Sequence, residues 1–345
     1  MRSNSIFSKD INEVSAIRSA VSDRSSSRCS ETSQKKKKRG FFRSLFSSFK
    51  PSSTSTQYRN RIWLEFYEVC LRKDDVDHFR PGYWVLDTNI DFYFEILQYR
   101  VLLPRPASVR DEFLLMRPAM VYFLSQAPDP REIAGALPPE LMKASYLFLP
   151  INDTSESGIE GGSHWSLLVV SVEQGVGYYY DSMTNGNAND CNLVVRNLSI
   201  LLNKRFTIKQ MKVPQQVNDC DCGLHVCENT RILLYRLLQK PYVSKVDMNL
   251  EGTQVDTVKL RKDLMRLITL LIMHYGTKIP KTQDFRPDPV KDAKIFSLLD
   301  RPEVMEVEAL YTKNSSSTPT SSSAVHSGIA TDVSVPAPVL QTSVH

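Results

Sequence analysis

Four side chains that together can break an acyl bond stand in order along this sequence: His164, Asp181, Gln216 and Cys222. Cys222 stands near the end of the segment Pro214-Gln215-Gln216-Val217-Asn218-Asp219-Cys220-Asp221-Cys222-Gly223. Apolar spacing through Leu224, Cys227, Leu234 and Leu238 then predicts a helix over 224–238. A cysteine at a helix N-terminus meets unpaired backbone N–H groups and the positive end of the helix dipole, both of which favour the attacking thiolate. Gly223 would leave the approach to the sulfur uncluttered. A cysteine alone is more often a small core residue, so the reading depends on its companions.

Gly161-Gly162-Ser163-His164-Trp165 opens an apolar run to Val172, which puts His164 at a strand edge. Glu173-Gln174-Gly175 turns the chain into a second strand, Val176–Tyr180, followed by Asp181. Paired as a hairpin, the two strands bring His164 and Asp181 to the same end. The carboxylate can then accept an imidazole N–H, fix the tautomer and stabilise the imidazolium. Gln216 adds a side-chain amide which, with the Cys222 backbone N–H, can hold the oxyanion formed when a thiolate attacks a carbonyl. Singly, each has a plain alternative as a loop histidine, a turn aspartate or a loop glutamine.

The elements that must carry these residues lie between about 60 and 280, patterned as a mixed α/β or α+β domain. Thr88-Asn89-Ile90-Asp91 has the form of a capping box opening a helix through Phe92, Phe94, Ile96 and Leu97. Leu147-Phe148-Leu149 reads as a buried strand. Helical spacing covers 192–203 and about 256–275, the latter stopping at Gly276. No internal repeat occurs, and Gly175-x-Gly177 lacks the third glycine of a dinucleotide loop.

The expected organisation is a disordered basic Ser-rich arm over 1–57, a folded domain over 58–280, and an extension over 281–345, Ser/Thr/Pro-rich and disordered from about 313. The chain has 345 residues with a formal charge of +5. Residues 1–50 hold twelve Lys/Arg and four Asp/Glu, a net of +8, so the remainder carries −3. A phosphate-tracking groove is therefore not expected on the folded domain, and no nucleic-acid partner is assigned to it. Lys35-Lys36-Lys37-Lys38-Arg39 fits a nuclear-import signal. With Phe41, Phe42, Leu45, Phe46 and Phe49 behind it, the arm could instead touch an anionic membrane surface. No apolar run reaches the roughly 18 to 20 residues of a membrane span. Six scattered cysteines do not form a disulfide framework. The expectation is an intracellular protein of cytoplasm and/or nucleus, soluble and monomeric.

The order His-Trp, then Asp, then Gln-Gln-x-Asn-x-x-Asp-Cys-Gly resembles the Ulp/sentrin-specific (SENP) cysteine proteases, which cleave ubiquitin-like modifiers. The likeness runs over about 60–275, with Tyr83-Trp84-Val85-Leu86-Asp87-Thr88-Asn89-Ile90-Asp91-Phe92 similar to the family's Trp-Leu-x-Asp-x-x-Ile block. Leu149-Pro150-Ile151-Asn152-Asp153 and the Gly-Gly-Ser-His-Trp-Ser-Leu-Leu-Val run resemble the deneddylase branch most. The resemblance implies an α+β, papain-like fold with a mixed sheet flanked by helices, and needs no cofactor or metal. It makes Cys222 the nucleophile, His164 the general base and acid, Asp181 the orienting carboxylate and Gln216 the oxyanion donor. Trp84 and Trp165 would wall a tunnel over the modifier's Gly-Gly tail, and Asp87 would hold that tail. The partners implied are a Nedd-type modifier, or SUMO, and its lysine-linked conjugates.

The sequence departs from the family pattern at Asp219-Cys220, where a small residue and an aromatic are usual. Cys220 could pair with an oxidised Cys222 in a disulfide. Three other readings stay open: a desumoylating protease, an inactive modifier-binding module, and a zinc module using Cys220, Cys222, His225 and Cys227. The zinc spacing lacks the usual distant second pair of ligands.

Overall fold

A computed structural model describes residues 58–153, 162–184, 186–243, 245–281 and 289–300. The basic run at 35–39, the rest of the N-terminal arm, Gly161 and the tail beyond 300 lie outside the described residues. In chain order the strands are β1 (Ile62–Phe66), β2 (Val69–Arg72), β3 (Phe113–Leu115), β4 (Tyr146–Asn152), β5 (Trp165–Ser171), β6 (Val176–Tyr180), β7 (Thr207–Met211) and β8 (Lys278–Ile279). The helices of eight or more described residues are α1 (Asp87–Leu97), α2 (Pro118–Gln126), α3 (Ala188–Leu201), α4 (Cys222–Leu238), α5 (Thr257–Tyr275) and α6 (Pro289–Phe296).

The main sheet runs β3-β4-β5-β6-β7, antiparallel across β4–β5–β6 and parallel at both margins. A smaller sheet, β2-β1-β8, joins the two ends of the folded region. On one face Leu147, Leu149, Ile151, Leu168, Val170 and Tyr179 pack against Val121 and Leu124 of α2 and Val194 and Leu198 of α3. Helix α4 packs against β5 and α1. With both faces covered, β4 and β5 are buried almost throughout, and this is why they read as continuous apolar runs rather than alternating ones. The architecture is the expected α+β one, a mixed sheet flanked by helices.

The β5–β6 hairpin forms as its apolar runs predict, and α5 ends at Gly276, whose φ of 82° suits a residue without a Cβ. Helix α1 begins earlier than its capping pattern predicts. Asp87 is its first residue, and the buried Asn89 Oδ1 accepts the Leu86 N–H at 2.9 Å. Asp91 therefore lies inside the helix, where burial pushes its carboxyl up to about 7 against the pull of Arg117. Helix α6, past the expected boundary at 280, packs against α5, and its Asp292 accepts the hydroxyls of Tyr99 and Tyr275.

Candidate active site

The β5–β6 register sets Leu167 opposite Tyr180, so His164 and Asp181, just outside the two strands, emerge at one end of the sheet. His164 Nε2 lies 2.6 Å from Asp181 Oδ1, and both side chains are buried. Asp181 Oδ1 also accepts the Met183 N–H at 2.9 Å, while Oδ2 accepts the Gly186 N–H at 2.8 Å and the Tyr179 hydroxyl at 3.0 Å. Burial alone would raise this carboxyl; the His164 bond and the other donors outweigh it and hold Asp181 below the usual carboxylate range. The His164 main chain is fixed as well. Its N–H donates to Asp153 Oδ1 at 2.9 Å, and its carbonyl accepts from Asn187 Nδ2 at 3.0 Å.

With Nε2 committed to Asp181, the ring keeps its buried Nδ1 for the Cys222 thiol beside it. Burial disfavours the imidazolium, but the Asp181 carboxylate and the Cys222 sulfur overcome that and push His164 up to about 9. Such a ring can take a proton from the thiol and keep it as the charged partner of a thiolate.

Cys222 is the buried first residue of α4, with Asp221 at the N-cap. The Asp221 carbonyl accepts the N–H groups of Leu224 and His225 at 2.9 and 3.1 Å, yet its carboxylate does not cap the helix. Among the described residues the Cys222 N–H has no hydrogen-bond partner, so the uncapped end can still receive an anion. Gln216 lies six residues before Cys222 and is hydrogen-bonded to the turn that leads to it. Its Oε1 accepts the Ser182 hydroxyl at 2.7 Å and its Nε2 donates to the Asn218 carbonyl at 2.6 Å, which fixes the orientation of the amide and leaves a second Nε2 hydrogen.

Trp165 donates its indole N–H to the Val85 carbonyl at 3.0 Å, tying the start of β5 to the segment that bears Trp84. Trp84 itself is 47% exposed and no part of the core. Asp87 is exposed on the first turn of α1, with Oδ1 accepting the Thr88 N–H at 2.8 Å; among the described residues it makes no hydrogen bond to His164, Asp181 or Cys222. Gly223 also has a packing task. A Cβ there would sit 2.8 Å from Val85 Cβ and 3.4 Å from Trp165 Cδ1, so the missing side chain lets α4 close on Val85 and Trp165.

Two residues escaped the sequence reading. A Cβ on Gly186 would lie 2.3 Å from His164 Cδ2 and 2.8 Å from Nε2, so only glycine fits over the ring. Asn187 bridges the carbonyls of Ile151 and His164, both at 3.0 Å. The signal available was the glycine in the turn just after Asp181, an ordinary turn residue until its neighbour is known.

The residues of the zinc reading do not converge. Among the described residues no group of three or more His, Cys, Asp or Glu side chains could hold a cation. Burial lowers His225 to about 4 and drives the Cys227 thiol well above its usual value. Cys220 is buried, its sulfur turned towards Asn218 Oδ1 at 3.5 Å and Asp221 Oδ1 at 3.8 Å.

Residues 83–268, more than half the chain and all seven candidate site residues, match the Ulp1 protease family, C-terminal catalytic domain. The chain belongs to the Ulp1 protease family. As a member it is a cysteine-type peptidase. It is similar to NEDD8-specific protease 2 of Schizosaccharomyces pombe, 59% identical over 311 residues that cover 88% of this chain and 75% of that one. NEDD8-specific protease 1 of the same organism is 38% identical over 246 residues, 71% of this chain and 58% of that one. Sentrin-specific protease 8 of Homo sapiens is 30% identical over 199 residues, 53% of this Ulp1-family chain and 92% of the human one.

Proposed function

We propose that this protease cleaves after the C-terminal Gly-Gly of a Nedd-type ubiquitin-like modifier, in precursors and in lysine-linked conjugates. The observation that carries the reaction is the His164–Asp181 pair, at 2.6 Å, beside a thiol at the open N-terminus of α4. The choice of modifier leans on the similarity to the two Schizosaccharomyces pombe proteases.

His164 takes the Cys222 proton and the sulfur attacks the carbonyl of the terminal glycine. The Cys222 N–H and the second Gln216 amide hydrogen hold the oxyanion. Its collapse expels the lysine or peptide amine, which receives the proton from His164, and leaves a thioester on Cys222. Water attacks the thioester and passes one proton to His164. The tetrahedral intermediate expels the Cys222 thiolate, which the protonated His164 holds for the next cycle. The modifier's carboxylic acid releases its remaining proton to solvent as the free carboxylate leaves. Trp84 and Trp165 bound the path of the tail, where only glycine lets an extended backbone pass between aromatic faces.

The test is release of a fluorophore from the C-termini of NEDD8, SUMO and ubiquitin by the full chain and by Cys222→Ala. The expected result is Cys222-dependent release, fastest from NEDD8. No release from any of the three overturns the reaction, whereas faster release from SUMO overturns the choice of modifier alone.

A further inference from the structure

Arg261, on α5, is only 3% exposed, and its guanidinium is fully engaged. Nε and Nη2 clasp Asp221 Oδ1 at 3.0 and 2.6 Å. Nη1 donates to the carbonyls of His78 and Arg80 at 3.0 and 2.9 Å, and Nη2 to those of Tyr83 and Cys220 at 2.8 and 3.2 Å. Asp221 Oδ2 is held in turn by the Thr257 hydroxyl at 2.6 Å and Asn218 Nδ2 at 2.8 Å. These acceptors belong to two loops far apart in sequence: the turn over 218–221 that delivers Cys222, and the segment over 78–83 that leads into Trp84.

A buried arginine–carboxylate pair does not by itself signal a role in the reaction. On α4, Arg231 and Glu228 form another at 2.7 Å, with the Tyr93 hydroxyl on the second oxygen at 3.0 Å. That pair joins two residues of one helix and reaches α1 through Tyr93. Arg261 instead draws four main-chain carbonyls of two irregular segments onto one rigid, planar group, which a lysine ammonium cannot span.

We propose that Arg261 is a positioning residue that locks the nucleophile turn and the Trp84 segment into one unit, so that a tail held at Trp84 and Trp165 meets the Cys222 sulfur in attacking geometry. The proposal rests on the assignment of Cys222 as nucleophile. Misplacing the tail by about 1 Å is enough to cost roughly a hundredfold in rate.

The full chain, Arg261→Lys and the control Arg231→Lys are compared by amide hydrogen exchange, by NEDD8–fluorophore turnover and by alkylation of Cys222 with iodoacetamide, all well below the melting temperature. In Arg261→Lys, exchange should rise in both 78–86 and 218–222 and kcat fall by about ten- to a hundredfold. Alkylation, which needs no tail, should stay near the wild-type rate, and Arg231→Lys should leave all three readouts near wild type. Asp221→Asn, with the acceptor's shape and without its charge, should give the same pattern in weaker form and decides the matter if Arg261→Lys does not fold. Unchanged exchange in either segment, or alkylation that falls in step with kcat, overturns the proposal. A wild-type chain without Cys222-dependent turnover would instead overturn the assigned reaction, and the exchange would still decide the coupling.

Discussion

The sheet end that holds His164 and Asp181 and the turn that delivers Cys222 are rigid for unlike reasons. On the sheet side the register of β5 and β6 sets both residues, and donors from Met183, Gly186 and Tyr179 saturate the carboxylate. On the other side no strand ladder exists. Asn218 Oδ1 accepts the N–H groups of Cys220 and Asp221 at 3.1 and 3.0 Å, and Arg261 holds the rest from behind. The ladder sets where His164 and Asp181 emerge and nearby loop donors finish the work, whereas the turn that bears Cys222 takes its support from a separate helix.

The hardest blow to the sheet side is His164→Ala, which in the proposed reaction leaves the thiol without a proton acceptor. NEDD8–fluorophore kcat/KM should fall by about 10²- to 10⁴-fold, read by steady-state kinetics on folded protein. Asp181→Asn comes next, because the ring loses its carboxylate but keeps its place just before β5; kcat should fall by about a hundredfold or more. This variant also separates the two sides by pH. His164 stands at about 9 in the folded chain against 6.5 unperturbed, so it binds its proton more tightly when folded. Its contribution to stability is complete below about 6.5 and lost as pH rises through 9. Asp181, held below 3.8, contributes above that value, and the contribution is lost as pH falls through its folded pKa. Melting temperature against pH should therefore decline between 6.5 and 9 in the wild type and stay flatter in Asp181→Asn.

Gly186→Ala is a subtler wedge, since its methyl would stand 2.3 Å from His164 Cδ2 and the ring must move. The expected outcome is a stability loss of about 1–3 kcal/mol and a drop in kcat of roughly a hundredfold, followed by thermal melts and kinetics. Wild-type kcat in this variant would show that the sheet side tolerates displacement. Trp84→Ala should be the mildest. Because Trp84 is half exposed, stability should change by no more than about 0.5 kcal/mol, while a raised KM at nearly constant kcat marks a lost contact with the tail.

The contrast between the two sides also governs what could be read from the residues. The β5–β6 hairpin was legible because β5 is buried on both faces and reads as an apolar run that starts beside His164, while the turn at Glu173-Gln174-Gly175 leads into a Val- and Tyr-bearing strand that stops at Asp181. Cys222 was legible from the helix that follows it. Strand β7 was not: it is a sheet edge, exposed along nearly its whole length, and Thr207-Ile208-Lys209-Gln210-Met211 carries little burial pattern. The two-residue β8 is too short to carry any. Arg261 reads as one cation in a charged helix, and only the packing of α5 behind α4 shows its acceptors. Gly186 likewise acquires its meaning only once the imidazole lies beneath it.

In the proposed reaction Cys222 is the attacking sulfur at the end of a Gly-Gly path. A NEDD8 derivative with a C-terminal electrophile, incubated with the full chain and mapped by peptide mass spectrometry, tests it most directly. A single adduct on Cys222, absent from Cys222→Ala and slowed in His164→Ala, is the predicted result. An adduct on Cys220 or Cys227, or one that persists in Cys222→Ala, would contradict it.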